Sequence, residues 1–103
     1  MEKLTGDPDF DELLQECIKT LEIKGGDYSA GPTDRLSNFK EVGKKLGLKP
    51  RQVLGVYMEK HLIALGKFCQ SGKLESEPIA SRIVDVINYC ILLGKMVKRD
   101  ECE

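Results

Sequence analysis

Apolar side chains recur at three- and four-residue intervals along most of the chain, and no stretch shows the apolar–polar alternation of a strand. Four helices follow from this pattern. The first starts at Asp7-Pro8, where Asp7 can cap the helix and Pro8 suits its first position. Phe10, Leu13, Leu14, Cys17, Ile18 and Leu21 carry its apolar face, and the Gly25-Gly26 pair is expected to end it. The stretch KGGDYSAGPTD then reads as a Gly-rich polar loop. A second helix is expected from about Thr33 to Leu46, with Leu36, Phe39, Val42 and Leu46 on one face and Gly47 at its end. Pro50 opens the third, PRQVLGVYMEKHLIALGKFCQ, which is apolar over more than one stripe. On it Gly55 and Gly66 share nearly one face and would permit close backbone approach, and Gly72 breaks the chain after it. The fourth helix begins at Ser76 or Glu77, before Pro78, and runs to about Lys98. Its core face is expected to be Ile79, Ile83, Val86, Ile87, Cys90, Leu93 and Val97.

The expected architecture is a single all-α domain over residues 1–103, a four-helix bundle with a charged, frayed tail from about residue 98. The wide apolar arcs on the third and fourth helices exceed what four short helices can cover, so a homo-oligomer is expected.

The charge balance removes one class of partner. With 16 basic and 17 acidic side chains and a net charge of −1, the chain lacks the basic surplus of a duplex-binding protein. Hydrophobic residues at 41% and charged residues at 32% fit a soluble globular domain, and no segment is apolar for long enough to span a bilayer. Cys17, Cys69, Cys90 and Cys102 are scattered without a CxxC pair, and there is one histidine, which disfavours zinc. Cys17 and Cys90 fall at core-facing spacings. The N-terminal MEKLTGDPDFDELL has no apolar run of the signal-peptide kind, so a reducing cytoplasm is the expected setting.

Candidate chemistry lies where polar residues interrupt apolar faces. On the fourth helix Arg82, Asp85 and Tyr89 form one ridge and Asn88 sits beside Asp85. Two readings stand for this seam: internal ion pairing and hydrogen bonding, because a charge near a core needs a partner, or a ligand or metal carboxylate in a cleft. On the third helix His61 lies between Tyr57 and Leu65 and faces inward, while Glu59 and Lys60 occupy other sides of the same turn. Lys24, Asp27, Tyr28, Asp34, Arg35, Asn38 and Lys40 could supply donors to a phosphate, or form an ordinary connector. On the acid-rich first helix Asp9 and Asp11 complement the helix N-terminus. Glu12 and Glu16, one turn apart, could join Asp85 around a magnesium ion.

Three stretches, KGGDYSAGPTDRLSNF, VYMEKHLIAL and RIVDVINYCILL, together resemble small phage and prophage proteins of the nucleotide modification associated domain group. These in turn are similar to all-α nucleoside-triphosphate pyrophosphatases of the MazG type. The resemblance covers about residues 20 to 97. It rests on Lys24-x-x-Asp27-Tyr28, Arg35 with Asn38-Phe39, Lys60-His61, and Arg82-x-x-Asp85-x-x-Asn88-Tyr89. MazG-type enzymes hold magnesium with an EExxE and an ExxD motif, and the metal bridges the phosphates. Here Asp85 fits the Asp of ExxD, Arg82 replaces its Glu, and Glu59-Lys60-His61 stands where a carboxylate cluster is expected.

The resemblance therefore implies a phosphorylated nucleotide as partner. In its hydrolytic form it implies catalytic roles for Asp85 and Glu59, with Mg2+ held by Asp85, Glu12 and Glu16. In its binding form Lys24, Arg35, Lys60 and Arg82 grip phosphate, Tyr28 or Tyr89 lies beside the base, and His61, Asn38 and Asn88 complete the pocket. A non-catalytic phage protein sequestering a host signalling nucleotide in the host cytoplasm, as an anti-defence device, and a protein-binding adaptor are the alternatives.

Overall fold

The computed structural model describes residues 4–28, 35–73 and 78–103, which form four helices and, among the described residues, no strand. Helix α1 spans Pro8–Tyr28, α2 Ser37–Leu46, α3 Pro50–Ser71 and α4 Ile79–Lys98. None is long and apolar enough to cross a membrane.

Local chemistry sets most of the boundaries. The Asp7 carboxylate accepts from the N–H groups of Asp9 (2.9 Å) and Phe10 (3.2 Å), capping α1 as its sequence position demands. Gly47 and Gly72 take the left-handed conformation that ends α2 and α3. At the start of α3 the Gln52 side chain reaches back 2.9 Å to the Lys49 N–H, one half of a capping box. One boundary differs from expectation. Helix α1 passes through Gly25-Gly26 to Tyr28, because glycine in a helix costs only about 1 kcal/mol and does not break the hydrogen-bond ladder. Helix α2 starts at Ser37 and α4 at Ile79, after Pro78; the expected starts at Thr33 and at Ser76 or Glu77 lie outside the described residues.

Helices α3 and α4 form an antiparallel hairpin, with α2 packed on α3 and α1 on α4. Arg35, just before α2, donates to the Leu21 carbonyl of α1 over 3.0 Å. That link ties α1 to the segment just before α2. The molecule is flat, 38 × 35 × 22 Å, a thickness of about two helix layers. Leu36, Phe39, Val53, Leu54 and Met96 form the core, flanked by Val42, Leu48, Tyr57, Tyr89 and Leu92. Full burial of each such side chain contributes about 1.5–3 kcal/mol. Leu46 is exposed, and Leu48 takes its place in the core once Gly47 has turned the chain. The close approach occurs at Gly43, where an added Cβ would lie 2.6 Å from the Leu48 carbonyl oxygen; Gly55 and Gly66 have nothing within 4 Å.

Two further expectations are corrected. The fully buried residues of α4 are Val84, Asn88 and Met96; of the series expected from Ile79 to Val97, Leu93 packs on the core and the other members are half-buried except Cys90 and Val97, which are exposed, Val97 at 63%. The helix is rotated because its polar seam has partners inside the monomer, at His61 and at the backbone of α1. The C-terminal segment is also tied down rather than frayed. The Cys102 carbonyl accepts from the Arg51 N–H (3.3 Å), Glu103 pairs with Lys49 (2.8 Å) and Arg51 (3.1 Å), and Glu101 pairs with Lys40 (3.1 Å). Orphan N–H groups in the first turn of α3 and nearby cations give the tail a place to fold back.

Candidate functional site

The polar seam of α4 meets α3 at His61, which is 6% exposed. The Arg82 Nη1 lies 3.0 Å from His61 Nδ1, and the Tyr89 ring packs on the imidazole with centroids 5.7 Å apart. A guanidinium is always a donor, so this contact is a hydrogen bond in the ring tautomer that leaves Nδ1 as the acceptor. The Asp85 Oδ2 is 3.8 Å from the same Nδ1. That is ion-pair distance, too long for a hydrogen bond, and it becomes a salt bridge when the imidazole is protonated. Asp85 retains 16% side-chain exposure, which opens it toward α1.

On that side lies a groove of about 740 Å³ between α1 and α4, lined by Glu12, Glu16 and Asp85 among others. The three proposed metal carboxylates thus reach one groove. Among the described residues, however, no three His, Cys, Asp or Glu side chains stand close enough to hold a metal ion by themselves. The residues fit a cation that draws the rest of its coordination from water and phosphate oxygens, as magnesium does.

Asn88 has a different task. Its Nδ2 donates to the Cys17 carbonyl over 3.0 Å and pins α4 to α1, and it is 7% exposed. Its Oδ1 is buried with no partner among the described residues. Cys17 is buried at this same contact, and burial, followed by the charge of Glu16, pushes its thiol up. Cys17 is therefore a packing residue.

The other candidates separate. Glu59 and Lys60 are exposed, on sides of α3 other than that of His61, so Glu59 does not join Asp85 as a catalytic pair. Arg35 spends its guanidinium on the Leu21 carbonyl. Asn38 is half-buried on α2. The side chains of Lys24, Asp27 and Tyr28, and residue Asp34, lie outside the described residues. Asp9, Thr20 and Ser81 also line the groove; the sequence points to Asp9 only as a complement to the helix N-terminus and does not single out Thr20 or Ser81. The signal was present: Asp9, Leu13, Glu16 and Thr20 fall at three- and four-residue intervals, one stripe of α1.

The arrangement offers a carboxylate-walled groove backed by a guanidinium, an imidazole and a phenol. Carboxylates alone repel a phosphate, so an anionic ligand enters this groove only with a cation between. No family model, curated protein or solved structure matches the chain.

Proposed function

We propose that the protein binds a phosphorylated nucleotide in the α1–α4 groove, as a cytoplasmic homo-oligomer related to the MazG-type pyrophosphohydrolases. The observation that carries this reading is the double position of Asp85, which lines the groove and stands 3.8 Å from His61 in the Arg82–His61–Tyr89 cluster. In this reading the phosphates lie toward Glu12, Glu16 and Asp85 with Mg2+ between, which neutralises their charge. Arg82 supplies positive potential behind Asp85, while Tyr89 packs on His61 and the core rather than in the groove. Turnover, in this scheme, is attack of water on the α-phosphorus of a nucleoside triphosphate, with pyrophosphate leaving.

A specific observation favours binding without turnover. Glu59, the second carboxylate expected to take part in catalysis, is exposed on another side of α3. A non-catalytic protein that holds a nucleotide, including a signalling nucleotide of a host defence system, needs the groove and a bridging cation but no activated water. The adaptor reading rests instead on the open apolar side of α4.

Incubation with a panel of nucleotides and Mg2+, followed by chromatography, separates the first two. Release of pyrophosphate identifies the hydrolase, and unaltered nucleotide retained on the protein identifies the binder. If the melting temperature stays unmoved by every mono-, tri- and cyclic nucleotide, both nucleotide readings fail and the adaptor remains.

A further inference from the structure

We infer that Arg82 is a positioning residue: by donating to His61 it fixes the proton of the neutral imidazole on Nε2, which leaves the Asp85 carboxylate to the groove rather than to the ring. This rests on the proposed reading of Asp85 as a groove ligand for a cation.

Three groups meet at one nitrogen. His61 Nδ1 has Arg82 Nη1 at 3.0 Å and Asp85 Oδ2 at 3.8 Å. A neutral imidazole carries one proton, so Nδ1 either accepts or donates. As an acceptor it satisfies Arg82 and offers Asp85 only a lone pair. As a donor it would bind Asp85 and turn a proton against the guanidinium. The distances fit the first state, since 3.0 Å is a hydrogen bond and 3.8 Å is not. Water does not relieve the choice: His61 is 6% exposed, and the Tyr89 ring packs on it with centroids 5.7 Å apart.

The choice has its consequence at Asp85. This residue lies one turn after Arg82 on α4 and lines the groove with Glu12 and Glu16 of α1. A carboxylate oxygen that accepts from an imidazole N–H is drawn toward α3 and away from α1. The guanidinium prevents this by holding the ring in the state from which Asp85 receives no proton. Loss of a partner that orients a metal ligand commonly costs about 10- to 100-fold in metal affinity.

The sign of the effect separates this role from two simpler ones. If Arg82 acted only by its charge, its removal would strengthen the binding of a cation at Asp85. If it only packed the hairpin, its removal would weaken binding whatever stands at position 61. A tautomer lock predicts a weakening that disappears once the imidazole is gone as well.

The full chain is tested by nuclear magnetic resonance, with Mn2+ and inorganic triphosphate as the probe. His61 is the only histidine in the sequence, so its ring nitrogens are unambiguous, and the unprotonated one resonates far downfield of the protonated one. At about pH 8.5, where an ordinary histidine is neutral, the wild type is expected to show Nδ1 unprotonated and Arg82→Met to show the proton on Nδ1. Broadening of the Val84 and Asp85 amide signals reads the probe. Arg82→Met is expected to bind it about tenfold or more weakly, and the Arg82→Met, His61→Phe double variant to return to within about twofold of wild type. A proton on Nδ1 in the wild type, an unmoved proton in Arg82→Met, tighter binding by Arg82→Met, or a loss that His61→Phe does not relieve overturns the inference while the cation reading stands. A wild type that shows no broadening refutes the cation reading itself, and the lock with it. Should Arg82→Met fail to fold, Arg82→Gln, whose amide ends short of the guanidinium nitrogens, carries the same expectations.

Discussion

Replacing Gly43 by alanine sets two effects of opposite sign against each other. Helix propensity favours alanine over glycine inside a helix by about 1 kcal/mol. Gly43 is in α2 and buried, so this gain is available in principle. The added Cβ, however, would sit 2.6 Å from the Leu48 carbonyl oxygen and 3.7 Å from Val53 Cγ2. The clash is with backbone that cannot swing away. The Gly43 carbonyl accepts from the Gly47 N–H and, at 2.9 Å, from the Leu48 N–H, and Gly47 is held at φ 69°. Relief must move that turn and with it Leu48, which packs on the core. Overpacking of this kind costs about 1–3 kcal/mol, and a lost backbone hydrogen bond about 1 more. The clash wins, with an expected net loss of about 1–3 kcal/mol and a melting temperature lower by roughly 5–15 °C. Gly55→Ala is the internal comparison: nothing stands within 4 Å of its Cβ position, so propensity acts alone and the variant gains up to about 1 kcal/mol. Urea and thermal unfolding followed by circular dichroism read both. A Gly43→Ala protein at least as stable as the wild type would refute the packing described around the α2–α3 turn.

Further outcomes follow from the same contacts. Asn88→Ala removes a buried hydrogen bond to the Cys17 carbonyl and leaves a small void, for an expected loss of about 1–3 kcal/mol in urea unfolding; a change within about 0.5 kcal/mol would show that α1 is held by other means. Glu101 is held below the ordinary glutamate value by its hydrogen bonds to Lys40 and then Arg99, and Glu103 by those to Lys49 and Arg51. Carboxyls depressed in the folded state stabilise above the unfolded value of about 4.3 and lose that contribution as pH falls through the folded values. A Glu101→Gln, Glu103→Gln double variant should therefore unfold at lower urea than wild type at pH 7, with the gap narrowing as pH falls below about 4.3; a gap that stays constant over that range would mean the clasp is not ionic. Cys17, with its raised thiol, should stay unmodified under maleimide while exposed Cys69 reacts; equal rates would contradict the α1–α4 packing.

The helices were legible because their signals are local. Asp7-Pro8, Gly47, Pro50 and Gly72 act within one turn of themselves, and each marks a boundary that forms. What lies opposite a helix face is not local. Periodicity finds the most apolar stripe of α4 but not which neighbour covers it, and in the single chain the polar seam faces inward because His61 and the Cys17 carbonyl meet it. The tail was misread for the same reason: Arg51 is 52 residues from Glu103, and no window along the sequence joins them. His61 and Arg82–Asp85–Tyr89 were singled out separately, and their meeting depends on the hairpin register. Glu59 passed as a candidate by its place in the motif, although its angle on α3 turns it from the site.

The central claim is that Asp85 belongs to a nucleotide groove. Calorimetric titration of nucleoside triphosphate into wild type and Asp85→Asn, with and without Mg2+, tests it most directly. The account predicts saturable binding that requires Mg2+ and weakens about tenfold or more in the variant, the loss of one charge-assisted contact of about 1.5–3 kcal/mol. Equal binding by the two proteins, or tight binding that ignores Mg2+, contradicts it.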